Sequence, residues 1–126
     1  MDRQLLYDYD EVRPALVQLE EETAARLQEL LKDTGIRIMA LEHRVKGRNN
    51  LSEKLRRREG QFHTLSDVTD LVGMRIICYF ADDVDKVSAL IEQHFQIDRT
   101  KSGDRGSRLS PTAFGYLSVH YICRQT

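Results

Sequence analysis

The chain has 126 residues, 40% of them hydrophobic and 31% charged, with a formal net charge of −1. That length suits one domain with a modest core, and the composition is that of a soluble globular protein. No apolar run approaches the roughly 20 residues a bilayer span requires, and MDRQLLYDYD lacks a secretory signal pattern, so a cytoplasmic location with no membrane partner is expected.

In chain order, Asp10 reads as an N-cap, with Pro14 in the permissive first turn of a helix. Val12, Leu16, Leu19, Leu27 and Leu30/Leu31 carry its apolar spacing, and Gly35 stops it. IRIMALEHRVK (36–46) alternates as a strand, with Glu42, Arg44 and Lys46 on one face and Met39, Leu41 and Val45 on the other. NLSEKLRRREG (50–60) predicts a short basic helix closed by Gly60. SDVTDLVG begins another, with Ser66 as cap and Asp67 in its first turn. MRIICYF (74–80) is a β-branched and aromatic strand. ADDVDKVSALIEQHF (81–95) predicts a helix capped by Asp82, and QIDRT follows as a strand.

Residues 99–114 form a polar stretch with two Gly, one Pro, three Ser and four basic residues, which predicts a long functional loop. Residues 116–124 predict a last strand, able to pair with the third across that loop. The order implies an α+β or α/β domain, a mixed β-sheet flanked by helices, with no internal boundary or repeat. Residues 1–35 are its N-terminal helical part and 36–126 its core. Cys78 and Cys123, both in apolar runs, read as buried thiols rather than a disulfide or metal pair.

The near-zero net charge hides an asymmetry. Residues 1–34 hold nine acidic and four basic side chains, whereas HRVKGRNNLSEKLRRR (43–58) holds seven Lys/Arg against Glu53 alone. Such a block suits an anionic partner, phosphate-rich or nucleic acid, or else forms a solvated face. Arg44 and Lys46, two apart on a strand, aim into one space, with Lys54 and Arg56–Arg58 following; converging cations suit a polyphosphate. No GxxxxGK[ST] pattern is present, which excludes a P-loop enzyme. Asp67 and Asp70 share a helix face. Asp67 reads as a helix-terminus charge, while Asp70 is equally a charge of that kind or a Mg²⁺ ligand, since Mg²⁺ takes one or two carboxylates plus substrate phosphates. Tyr116, Ser118 and His120 alternate to one face of the last strand. Tyr116 is placed either to pack or to stack on a base, and His120 reads alone as a hydrogen-bonded structural histidine.

Taken together, HRVKGRNNLSEKL, SDVTDLVGMRIICYFADDVDKV and FGYLSVHYI resemble, over residues 36–124, the synthetase domain of the RelA/SpoT (p)ppGpp synthetase family, in its compact form without a hydrolase domain. The resemblance implies a nucleotidyltransferase-like fold and transfer of pyrophosphate from ATP to the ribose 3′-OH of GDP or GTP with Mg²⁺. It implies that Arg44 lies against adenine, that Lys46 and Lys54 hold the ATP phosphates, and that Asp70 binds the metal with Arg75 in support. On the acceptor side it implies Tyr116 on the guanine, Ser118 and His120 lining the same pocket, and Lys101 within a loop, 99–113, over the GDP or GTP. Members often carry a serine where Asn50 stands and a lysine before the Gly-Tyr turn, where Pro111-Thr112 stand here. They also carry a metal-binding glutamate on a further strand. The resemblance therefore implies a partial domain, lacking its last strand, inactive alone and with a sheet edge open to self-association or a homo-oligomer. Two other readings stand beside it: a toxin transferring pyrophosphate to the tRNA 3′ end, the one case with a nucleic-acid partner, and a non-catalytic nucleotide-binding module.

Overall fold

The computed structural model describes residues 2–98 and, by their backbone, 107–108, 119–120 and 123–124. The fold is α+β. Helix α1 (Asp2–Leu31) leads into strand β1 (Ile38–Val45), helix α2 (Arg48–Arg57), a 3-10 turn (Leu65–Asp67), strand β2 (Val72–Cys78) and helix α3 (Ala81–His94). Four two-residue strands follow: β3 (Gln96–Ile97), β4 (Ser107–Arg108), β5 (Val119–His120) and β6 (Cys123–Arg124). Among the described residues the strands pair as β1–β2, β3–β6 and β4–β5.

The helix expected from Asp10 begins at Asp2, and Pro14 lies inside it. Burial explains the difference. Leu5 and Tyr9 are one turn apart on the face that enters the core, so the apolar stripe starts five residues before the proposed cap. Asp10, no cap, pairs with Arg48 at 3.1 Å. The stop at Gly35 holds: Thr34 folds back to the Leu31 carbonyl, and Asp33 (φ 60) and Gly35 (φ 77) take left-handed conformations. The basic helix starts two residues early, at Arg48, and Gly60 (φ 81) lies beyond its end.

Ser66 does not cap a helix. Thr64 is the N-cap of the 3-10 turn, in a capping box with Asp67, whose carboxylate accepts from the His63 and Thr64 amides at 2.9 and 3.0 Å. Asp67 is thus the terminus charge its position suggested. Likewise Phe80, not Asp82, occupies the N-cap of α3. The acid that acts there is Asp83, fully buried, which takes the Arg37 guanidinium at 3.1 Å while Arg37 also lies over the Phe80 ring. Cys78 is half-buried rather than interior, and burial with the Asp83 charge raises its thiol above the ordinary value. The side chain of Cys123 lies outside the described residues.

The chain divides into two compact units, residues 1–28 with 41–75, and 29–40 with 76–126. The first has a core of Leu5, Tyr9, Leu51, Leu55 and Val68, bordered by Leu6, Leu16, Phe62, Leu65 and Leu71. The second buries Leu31, Val87 and Phe95 and contains the short pairs. There Gln96 faces Arg124 and Ile97 faces Cys123, so the third strand does pair with the last. The expected strand 116–124 contributes to two pairs, because Val119–His120 lies against Ser107–Arg108. Among the described residues, no helix is long and apolar enough to cross a membrane.

Candidate phosphate-binding site

The site forms within the first unit, where a strand end, a helix and the approach to β2 meet over the Leu51–Leu55 core. In α2 the i, i+4 pair Leu51 and Leu55 points inward and is fully buried. Lys54, one residue before Leu55, therefore lies at the edge of that face, its side chain only 17% exposed. Lys46 follows the last residue of β1. Its amide donates to the Leu71 carbonyl at 2.7 Å, and its carbonyl accepts from the Tyr9 hydroxyl. With its backbone held on both sides, its side chain is drawn inward to 9% exposure.

Both ammonium groups converge on Asp70. Lys54 Nζ donates to Oδ1 at 3.0 Å and Lys46 Nζ to Oδ2 at 3.1 Å. Burial raises the Asp70 carboxyl, but the hydrogen bonds and charges of Lys54 and Lys46 together outweigh it and hold the group below its ordinary value of 3.8. One carboxylate against two ammonium groups leaves one positive charge unmatched, in a place only partly open to water. Lys54 Nζ also lies 5.9 Å from the Phe62 ring centroid. An entering phosphate oxygen would relieve the repulsion between the lysines, which is the electrostatic preference of an anion site.

The sequence-derived candidates separate clearly. Lys46, Lys54 and Asp70 are brought together. Arg44 is exposed on β1, its Cγ 3.9 Å from where a side chain on Gly73 would begin. Arg44 and Lys46 differ in burial: Lys46, just past the end of β1, is buried where Arg44 is exposed. Met39, expected on the apolar face, is 57% exposed. Arg75 pairs with Glu42 at 3.6 Å on the surface. Asn50 is exposed in the first turn of α2. The backbone of His120 is in β5; its side chain, and Lys101, Tyr116, Ser118, Pro111 and Thr112, lie outside the described residues, as does the expected loop apart from Ser107–Arg108.

Sequence reasoning missed two contributors. Tyr9 fell before the expected helix start, and only the i, i+4 partnership with Leu5 signals it. Phe62 stood between two predicted helices with no periodic partner.

The donor set bears on a metal. Asp70 is 39% exposed and ionised, and each of its oxygens retains a lone pair beyond its lysine. Among the described residues, no group of three or more His, Cys, Asp or Glu could hold a cation by protein ligands alone. Asp70 is thus the single carboxylate of the cluster that could contribute to a cation, a role Mg²⁺ completes with phosphate oxygens where a substrate supplies them.

The fold is α+β, and within its first unit Lys46, Lys54 and Asp70 form one charged cluster. The family model described as a region found in RelA / SpoT proteins matches residues 43–126, a span that includes Lys46, Lys54 and Asp70, and the chain belongs to that family. Membership gives it a function related to (p)ppGpp synthesis. Searches of curated proteins and of solved structures found no significant match.

Proposed function

We propose that the protein is a (p)ppGpp synthetase that transfers the β,γ-pyrophosphate of ATP to the ribose 3′-OH of GDP or GTP. The observation that carries this reading is the convergence of Lys46 and Lys54 on Asp70 inside the family-matched region. Lys46 and Lys54 grip the ATP phosphates, and the positive charge they leave unmatched draws the polyphosphate in. Asp70 holds Mg²⁺ beside them, which supplies neutralisation of the charge developing on the transferring group. The 3′-hydroxyl oxygen forms a bond to the β-phosphorus and releases its proton to solvent as the bond from that phosphorus to the α-phosphate oxygen breaks, and AMP leaves. Arg44, exposed on β1, suits contact with adenine, and Arg75 supports the site from β2. Tyr116, Ser118, His120 and Lys101 are assigned to the acceptor nucleotide by family resemblance, and the synthetase is proposed to act in the cytoplasm on a nucleotidyltransferase-like fold.

Arg56 and Arg57 at the end of α2 and Arg58 at its C-cap, all exposed, favour a second acceptor, the 3′ end of tRNA. One experiment separates the two. The intact protein is incubated with ATP labelled at the γ-phosphate, Mg²⁺ and either GDP, GTP or tRNA, and products are resolved. The expected result is AMP with a labelled guanosine 3′-pyrophosphate, lost in Asp70→Ala. Label on tRNA alone transfers the reading to the RNA acceptor; no AMP with any acceptor overturns both.

A further inference from the structure

The phosphate site is braced by a helix outside the family-matched region. Residues 43–126 match the family model, yet three polar side chains of α1 reach the segment that carries Lys46. Glu20 Oε2 lies 3.2 Å from His43 Nδ1, Asp10 Oδ1 lies 3.1 Å from Arg48 Nε, and between them the Tyr9 hydroxyl donates to the Lys46 carbonyl. The contacts fall before, at and after Lys46, and each of the outer two has at least one partner open to water, which weakens it. The central one differs. Tyr9 is fully buried, and its hydroxyl oxygen in turn accepts from Arg13 Nε at 3.3 Å.

The structure assigns Tyr9 as a positioning residue for the nucleotide site, acting through Lys46. The Lys46 peptide is held from one side by the Tyr9 hydroxyl and from the other by the Leu71 carbonyl, next to Asp70. These two bonds fix where the Lys46 side chain starts, one residue beyond the end of β1. Without the hydroxyl, the buried Lys46 carbonyl loses its partner, and the ammonium samples positions away from Asp70 and from the phosphates it would grip. The phosphate-binding role of Lys46 is taken from the function proposed above, and this assignment rests on that reading.

The test is a double-mutant cycle on ATP affinity, measured by calorimetry with Mg²⁺ for the wild type, Tyr9→Phe, Lys46→Met and the pair. Tyr9→Phe alone should weaken ATP binding by about three- to tenfold, the size of one buried hydrogen bond. In the Lys46→Met background the same change should have no further effect, because its route to the ligand is gone. A loss of equal size in both backgrounds, or no loss in the first, overturns the assignment. Amide hydrogen exchange at Lys46 in the wild type and Tyr9→Phe needs no Lys46 variant and no ligand. Faster exchange in Tyr9→Phe supports positioning, and unchanged exchange overturns it. A wild type that binds no ATP overturns the functional reading instead, and the exchange comparison then decides the Tyr9 contact independently.

Discussion

Asp70 shows how much a single side chain can be set by its neighbours. Its carboxyl is lowered on folding, so it contributes stability at pH values above its unfolded value and loses that contribution as pH falls through the folded one. The window lies at about pH 4 and below, where unperturbed aspartates titrate. Asp70→Asn should therefore be less stable than the wild type at pH 7 by about 1–3 kcal/mol, because two largely buried ammonium groups lose their counter-charge while Asp70 itself remains partly hydrated. Urea denaturation should show the difference shrinking as pH is lowered from 6 to 3; a constant difference would mean that the carboxylate charge is immaterial. The three residues of this cluster were legible from residue type and family resemblance. That Lys46 is buried was not, because lysine is rarely interior and its strand alternation placed it with exposed Arg44.

At the scale of elements, the ends of helices were the least legible feature, for a recurring reason. Asp10, Ser66 and Asp82 are all good caps by residue type, and none of them caps. Several residues near each boundary have suitable side chains, and the choice among them is made by which neighbouring apolar residues are buried. Thr64 and Asp67 make the capping box that Ser66 was expected to start, since that register lets Leu65 reach the border of the core. Asp67 satisfies two backbone amides at once. Asp67→Ala should cost about 1–2 kcal/mol, measured by thermal or urea unfolding, whereas Ser66→Ala should cost less than about 0.5 kcal/mol. Equal costs would mean that the capping box is not maintained in solution.

On the scale of the molecule, the family-matched span does not complete its own core. Leu5 and Tyr9 of α1 share a cluster with Leu51, Leu55 and Val68 of the matched region. The lysines stand on that cluster, so its packing and the geometry of the site are linked. Leu55→Ala should destabilise the protein by about 2–5 kcal/mol in urea titrations. At temperatures where the variant remains folded, ATP affinity should also fall, because Lys54 precedes Leu55 on α2. Full ATP affinity in a destabilised Leu55→Ala protein would separate the core from the site.

By itself, the sequence determined the α+β class, the existence and order of the three main helices and two longer strands, the stop at Gly35 and the family. It also singled out Lys46, Lys54 and Asp70, which the fold brings together. These features depend on local periodicity, on the backbone freedom of glycine and on motif order, all of which are written along the chain. Only the tertiary structure decided that Lys46 is buried and meets Lys54 on Asp70, that Arg75 pairs with Glu42, and that the Tyr9 hydroxyl bonds the Lys46 carbonyl. Those outcomes depend on contacts between residues 16 to 37 positions apart in the case of Asp70 and Tyr9. A side chain's partner at such separations is selected by burial and charge after the chain has folded back, which no local pattern encodes.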